Sequence, residues 1–171
     1  MIYTLTANPA IDYNVSCDRL DANTVTRTRD AVYSPNGKGL NVSFTLDHYN
    51  VPTTILGFFA GFSGRFIVEG ARERGVEVKP VWTEGITRVN VFLNAGEGVE
   101  YNMVNAGAAI TPADEDAMVG LISSLEDLDC LVISGSLPPN TSNGFLRRVL
   151  ETVRAKGSRF VLDISSTQLV D

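Results

Sequence analysis

The second half of the chain alternates short apolar segments with amphipathic ones, and this alternation restricts the possible folds more than any other feature. Residues 128–134 and 159–164 are short, apolar and rich in β-branched side chains, as buried strands are. Between them lie apolar side chains at helical spacing: Leu146, Val149, Leu150 and Val153. A strand–helix–strand order predicts parallel strands with helices on the faces of the sheet.

The rest of the chain extends this α/β pattern. It predicts strands over residues 1–7, 53–60 and 76–81 and helices over 39–50, 63–74 and 112 to about 125. The last helix has a strong start signal, because Thr111 can cap it, Pro112 suits the first turn and Asp114 lies at the third position of a capping box. The whole chain, residues 1–171, is expected to be one unit without repeats or linkers.

Two further regions, about 11–33 and 87–104, contain strands of a different kind. Apolar and polar residues alternate in them, which predicts strands with one face in water. They are too polar for the centre of a parallel sheet. We therefore expect them to form a small antiparallel sheet beside the main one, which we call the lid.

Charge and composition exclude several classes of function. The chain has 20 acidic and 14 basic residues, a net charge of −6, which argues against nucleic-acid binding. Its apolar runs are too short to span a membrane. Two cysteines, Cys17 and Cys130, and a single histidine, His48, predict a reduced, cytoplasmic setting without a disulfide framework or a histidine-rich metal site. A further helix can begin at Ser165, but the chain stops at Asp171, just where another crossover should begin, so we expect it to be part of a larger fold.

The segment from Ser34 to Asn41 has the clearest chemical signal. Gly37 and Gly39 flank Lys38 directly before a helix, which places backbone N–H groups and a cation at a helix N-terminus. The segment matches neither a Walker loop nor a dinucleotide-binding fingerprint. Two interpretations remain open on the residues alone: an anion site, or a flexible turn with an incidental lysine.

Other polar residues follow predicted strands or lie on them. Asp12 comes after the first strand, where open α/β sheets bind ligands, but a turn aspartate is the more economical interpretation. Arg88 and Asn90 alternate onto one strand face, which is either a binding face or a solvated one. Arg27 has the same ambiguity. The stretch from Ser134 to Asn140, which contains Ser136, is either a ligand loop or a plain loop.

Five segments together resemble the phosphofructokinase B branch of the ribokinase-like sugar kinases. They are Asn8-Pro9-Ala10-Ile11-Asp12, Gly37-Lys38-Gly39-Leu40-Asn41-Val42, Gly57-Phe58-Phe59-Ala60-Gly61-Phe62-Ser63-Gly64-Arg65-Phe66, Thr87-Arg88-Val89-Asn90 and Ser134-Gly135-Ser136-Leu137-Pro138-Pro139. The resemblance implies the N-terminal part of a three-layer α/β/α sandwich with a β lid. It implies ATP-dependent phosphorylation of a ketohexose phosphate, first of all fructose 1-phosphate, with tagatose 6-phosphate as the alternative.

The same resemblance implies roles for individual residues. The sugar would be held by Asp12, Gly37, Lys38 and Asn41. The phosphate would be anchored by Arg88, Ser136 and Arg27, with Asn90 supporting that pocket. ATP and Mg²⁺ would bind mainly beyond Asp171, where the catalytic aspartate is also expected. The 171 residues alone would then be inactive and hold no metal. A homodimer would form through the lid, with Val89, Val91 and Leu93 on its apolar face.

Two departures from the family pattern stand out. Asn36-Gly37 replaces a pair of glycines, and Tyr101-Asn102 replaces a Thr-Glu pair in the second lid hairpin. A function of another class remains open, a non-catalytic module that binds sugar phosphates or a partner. A Rossmann dehydrogenase is disfavoured, since no GxGxxG follows a strand.

Overall fold

The computed structural model describes residues 1–164 and contains nine strands and four helices within them. The strands are β1 (Ile2–Thr6), β2 (Ala10–Ser16), β3 (Arg29–Asn36), β4 (Thr53–Ala60), β5 (Glu77–Thr83), β6 (Arg88–Asn94), β7 (Glu100–Met103), β8 (Cys130–Ser134) and β9 (Arg159–Asp163). The helices are α1 (Lys38–His48), α2 (Gly61–Glu73), α3 (Pro112–Ser124) and α4 (Phe145–Ala155). A further helix predicted from residue 165 onward lies outside the described residues.

Five of the strands form a fully parallel sheet in the order β5-β4-β1-β8-β9. Alternating side chains of these strands fill two cores, one on each face. On one face Leu5 packs with Met118 of α3 and Phe145 of α4. On the other, Ile55 packs with Leu40 of α1 and Ile67 of α2. The predicted parallel sheet and three-layer α/β/α arrangement are confirmed.

Local sequence signals account for the element boundaries. Helix α3 begins where predicted, because the Thr111 hydroxyl accepts a hydrogen bond from the Asp114 backbone N–H and the Asp114 carboxylate accepts one from the Thr111 backbone N–H. Strand β4 covers residues 53–60, as the apolar run predicts. No helix within residues 1–164 is long and apolar enough to cross a membrane.

The lid is a separate four-stranded sheet in the order β3-β2-β6-β7. Both hairpins, β2–β3 and β6–β7, are antiparallel as expected. The two hairpins are joined by a parallel pair, β2 with β6, which the sequence analysis does not predict. This pairing arises because β2 follows β1 and β6 follows β5, and both leave the same carboxyl edge of the parallel sheet.

The lid has one polar and one apolar face. Along β2 and β6, Asp12 pairs with Asn90 and Ala10 with Arg88, so their side chains share the polar face. On the apolar face, the end nearest the parallel sheet is covered, because Ile11 and Val89 pack against the core under α1 and α2. Leu93 is buried within the lid itself. The predicted alternation is therefore confirmed, but only part of this face is open to solvent.

Candidate functional site

The first turn of α1 packs closely against the end of β1. Gly37, which precedes the helix, has a φ of 146°, and a Cβ there would lie 2.4 Å from Cγ2 of Thr6. A Cβ on Gly39 would lie 2.4 Å from Oγ1 of Thr6 and 2.9 Å from the Leu5 carbonyl oxygen. Only glycine fits both positions without displacement of β1. The turn is therefore held in place by packing, and it brings Lys38 to the carboxyl edge of the parallel sheet.

A cleft of about 190 Å³ opens at this edge, between the N-terminus of α1, the end of β1, the lid and the loop after β8. It is lined by Thr6, Asn8, Gly37, Lys38, Arg88, Ser134, Gly135 and Ser136. Four of these residues are predicted site residues: Gly37, Lys38, Arg88 and Ser136. The lining contains two cations and no carboxylate, so the cleft suits an anion although the chain as a whole is acidic.

A polar network beside the cleft surrounds Asp12, which is buried with 9 % of its surface exposed. Asn90 donates to Asp12 Oδ1 at 3.0 Å, and Asn36 donates to Asp12 Oδ2. The Asn36 side-chain oxygen accepts from the Gly37 N–H at 2.6 Å and from Asn41 Nδ2 at 2.9 Å. Three more predicted residues, Asp12, Asn41 and Asn90, therefore lie in one network that adjoins the cleft at Gly37.

Arg88 is half-buried and bridges the lid to two loops. Its guanidinium donates to the carbonyl oxygen of Asn8 at 2.9 Å, to that of Asn105 at 3.2 Å and to Ser136 Oγ at 3.4 Å. Burial lowers the pKa of Arg88, and the negative charge of Asp12 opposes this shift. The position is consistent with a binding face, and it shows that Arg88 is not a freely solvated side chain.

Two buried polar atoms among residues 1–164 have no hydrogen-bond partner, and both belong to residues that line the cleft. They are Oγ1 of Thr6 and Nε of Arg88. Buried polar groups in folded proteins are almost always paired. The polar groups at this edge of the sheet are therefore not fully paired by the described residues alone.

Sequence reasoning missed Asn8 as an organiser of the cleft. Asn8 is buried, and its amide donates to the carbonyl oxygen of Ala106 at 3.0 Å and to Ser136 Oγ and the Leu137 carbonyl oxygen at 3.4 Å. It thus ties the end of β1 to the chain segment before α3 and to the loop after β8. The available signal was its place directly after a buried strand, next to Asp12.

Arg27 is the one predicted site residue that the structure brings neither to the cleft nor to the Asp12 network. It is exposed in the connection between β2 and β3. Asn36 pairs with Ala10 at the cleft end of this hairpin, whereas Arg29 pairs with Ser16 at its other end. At roughly 3.3 Å per residue, the two ends are about 20 Å apart, so Arg27 lies at the far end of the lid.

Two further observations complete the site. Ser134 Oγ donates to the Asp163 carboxylate at 2.7 Å, which places this acidic side chain at the same carboxyl edge. Within residues 1–164, no group of three or more His, Cys, Asp or Glu side chains is placed to hold a metal ion.

Comparison with known proteins gives the family. The model of the pfkB family carbohydrate kinases matches residues 3–170. D-tagatose-1-phosphate kinase from Klebsiella oxytoca is 44 % identical over 96 % of this chain and 54 % of its own length. For 1-phosphofructokinase from Bacillus subtilis, the identity is 34 % over 99 % of this chain and 55 % of the relative.

A solved structure supports the same family. Phosphofructokinase-2 from Escherichia coli in complex with fructose-6-phosphate superposes with a TM-score of 0.89 and 28 % identity, over 98 % of this chain and 56 % of that one. The chain thus spans about half the length of the curated relatives it matches. The fold, the positions of the five motifs and these matches lead to one conclusion: the chain belongs to the pfkB family of carbohydrate kinases.

Proposed function

We propose that the protein containing this chain transfers a phosphoryl group from ATP to the C6 hydroxyl of a ketohexose 1-phosphate, giving the 1,6-bisphosphate. The observation that carries the proposal is the cationic cleft next to the Asp12 network. A phosphate needs cations and N–H or O–H donors, whereas sugar hydroxyls need a carboxylate and amides. Both sets occur here side by side. The two relatives compared above are named for different ketohexose 1-phosphates, which supports the position of the phosphate.

At the sugar end, Asp12 would accept hydrogen bonds from sugar hydroxyls, and Asn41 would contact a neighbouring hydroxyl. Asn90 holds one Asp12 oxygen from the lid side at 3.0 Å, so it supports the pocket rather than reaching the sugar. Gly37 would let the sugar approach the backbone, and Lys38, exposed at the first position of α1, would supply a positive charge above it.

At the phosphate end, Arg88 and Ser136 would bind the phosphate already on the sugar. The Arg88 guanidinium is planar and suits phosphate oxygens, and the Ser136 hydroxyl lies 3.4 Å from it. Their elements, β6 and the loop after β8, are tied together by Asn8. The role of Arg27 as a phosphate anchor stays a prediction, because Arg27 lies at the far end of the lid, away from the cleft.

ATP and a divalent cation, which we take to be Mg²⁺, are expected from the family. The residues described here form no acidic metal cluster, so the metal enters none of the roles assigned above. The catalytic aspartate that would take the proton from the attacking hydroxyl is expected beyond Asp171. The inactivity of residues 1–171 alone and a cytoplasmic location stay predictions.

The lid is also proposed to mediate a homodimer. Tyr33, Tyr13, Val91 and Met103 form one row across all four of its strands. The two outer residues of the row are exposed, Tyr33 by 56 % and Met103 by 49 %. Tyr33→Asp together with Met103→Asp should raise the monomer fraction in sedimentation analysis of the full-length protein. An unchanged dimer, or a wild-type monomer, would contradict this proposal.

The function is tested with a coupled assay of ADP release on the full-length protein. The substrates are fructose 1-phosphate, tagatose 1-phosphate, fructose 6-phosphate and tagatose 6-phosphate. We expect turnover with at least one 1-phosphate at a kcat/KM well above that for either 6-phosphate. Preference for a 6-phosphate would contradict the assigned phosphate position. Binding of a sugar phosphate without ADP release would favour the non-catalytic module instead.

A further inference from the structure

Asn36 lies at the junction of the lid and α1, as the last residue of β3. Its side chain is the central member of the network beside the cleft, because it contacts Asp12 on β2, the Gly37 backbone and Asn41 on α1. The family pattern noted above has glycine at this position. A glycine would provide none of these three contacts, so the replacement adds a polar group to the site rather than only removing flexibility.

The hydrogen bonds fix the orientation of the Asn36 amide. The Gly37 N–H can only donate, and it lies 2.6 Å from Oδ1 of Asn36. Asn41 Nδ2 also donates to Oδ1, at 2.9 Å. Nδ2 of Asn36 must therefore face Asp12, as observed. A reversed amide would place an N–H group against two donors, which is unfavourable.

The same bonds define what remains for a ligand. Oδ1 of Asn36 has two donors and is saturated, whereas Nδ2 uses one of its two hydrogens on Asp12. Each Asp12 oxygen has one donor, from Asn36 or Asn90, and retains acceptor capacity. Asn36 is only half-buried. An N–H donor of Asn36 and an acceptor oxygen of Asp12 thus lie next to each other in the network that adjoins the cleft at Gly37.

We infer that Asn36 is a specificity-determining residue which, together with Asp12, distinguishes the configuration of a ring hydroxyl of the sugar. A hydroxyl can donate to Asp12 and accept from Asn36 at the same time. Its epimer directs that hydroxyl to the other side of the ring and leaves both protein groups unpaired. Sites built to pair a substrate hydroxyl discriminate strongly for this reason. Fructose and tagatose 1-phosphates, which differ only at C4, are the natural pair to compare. The inference rests on the proposed function.

The test uses the full-length protein with Asn36→Ala and Asn36→Asp. The first removes the whole amide. The second retains the two accepted hydrogen bonds but replaces the donor by a carboxylate beside that of Asp12, so it adds a repulsion between like charges to the loss of the donor. Asn14→Ala is the matched control, since Asn14 lies on the same strand and face as Asp12, is exposed and belongs to neither the network nor the cleft. For each variant, kcat/KM is measured with both C4 epimers, and KM is measured for ATP.

We expect both Asn36 variants to lose about twofold to a hundredfold in kcat/KM for the preferred epimer. The lower end corresponds to the loss of one hydrogen bond between uncharged groups and the upper end to the loss of one hydrogen bond to a charged group. The other epimer should lose much less, so that the ratio between the two falls towards one. KM for ATP should not change, and Asn14→Ala should match the wild type. Calorimetric titration with each sugar phosphate in the absence of nucleotide should show the same loss of preference.

The inference is overturned if both Asn36 variants keep the wild-type epimer ratio, whether kcat/KM is unchanged or falls equally for both sugars. An equal fall would indicate a purely structural role. If a variant unfolds, its partner variant and the calorimetric titration decide. Failure of the proposed function has a different signature, because the wild-type protein would then release no ADP with any ketohexose phosphate or would prefer a 6-phosphate.

Discussion

Arg88→Ala tests the proposed phosphate anchor most directly. Arg88 donates to the carbonyl oxygens of Asn8 and Asn105 and lies 3.4 Å from Ser136 Oγ. The guanidinium is thus already oriented towards the cleft by two backbone groups. Such preorganisation lowers the cost of binding a phosphate, because little side-chain freedom remains to be lost.

The expected effect on activity follows from the loss of one charged hydrogen-bonding group. A hydrogen bond to a charged group contributes about 1.5–3 kcal/mol. Since 1.4 kcal/mol corresponds to about a factor of ten, kcat/KM for the sugar phosphate should fall about tenfold to a hundredfold. The apparent KM for ATP should change little. Arg88→Lys, which keeps the charge but not the planar fork, should give an intermediate loss.

The same contacts predict an effect on stability. Truncation leaves the carbonyl oxygens of Asn8 and Asn105 without this donor, at a cost of about 1–3 kcal/mol in unfolding free energy. The unfolding midpoint should therefore fall by several degrees, and kinetics must be measured well below it. Arg159→Ala is the control, because Arg159 is exposed at the start of β9, at the opposite edge of the sheet. Wild-type kcat/KM for the sugar phosphate in folded Arg88→Ala protein would refute the anchor role.

Three further predictions concern the scaffold of the main layer. Gly39→Ala should lower the unfolding free energy by about 1–3 kcal/mol in denaturant titration, because the added Cβ would lie 2.9 Å from a backbone oxygen of β1. An unchanged denaturation midpoint would contradict this packing argument. Glu115→Ala should lower the unfolding free energy by a similar amount and raise KM for the sugar phosphate. Buried Glu115 accepts hydrogen bonds from the backbone N–H and the hydroxyl of Ser142, at 2.6 and 2.7 Å, and so holds the loop after β8. Wild-type stability and KM in this variant would contradict the argument. Burial, with the hydrogen bond to Asp127 and its charge, raises the pKa of Tyr3 to about 12. Because this folded-state pKa lies above the unfolded value of about 10, the stabilisation is complete below pH 10 and is lost as the pH rises towards 12. The unfolding temperature of Tyr3→Phe should therefore fall less between pH 10 and pH 12 than that of the wild type. An equal fall in both proteins would show that Tyr3 does not contribute to the alkaline destabilisation.

Strands and helices of the main layer were predictable because their signals are local. The apolar run over 53–60 predicts β4 to the residue, and the Thr111 capping box marks the start of α3. Burial of one face of a helix leaves a periodic pattern in the sequence, and burial of both faces of a parallel strand leaves a continuous apolar run. The family motifs also brought Gly37, Lys38, Arg88 and Ser136 to one cleft, because the carboxyl ends of parallel strands meet at one edge.

Hydrogen-bond partners far apart in the chain were not predictable. In the sequence, Asn36 only replaces a glycine of the family pattern, yet its amide donates to Asp12, 24 residues away. Asn8 is only a polar residue after a predicted strand, yet it joins segments 98 and 128 residues downstream. A polar side chain carries no periodic signal that identifies its partner, so its role is decided only when tertiary contacts bring the partner within 3 Å or so.

The α/β class, the parallel sheet and the division into a main layer and a lid could therefore be predicted from local patterns in the sequence. Tertiary structure alone decided the parallel pairing of β2 with β6, the burial of half of the lid's apolar face and the distance of Arg27 from the cleft. The physical reason is the range of the forces involved. Periodicity and capping act over one helical turn or a few strand residues, whereas strand register and polar networks join segments that only the folded chain brings together.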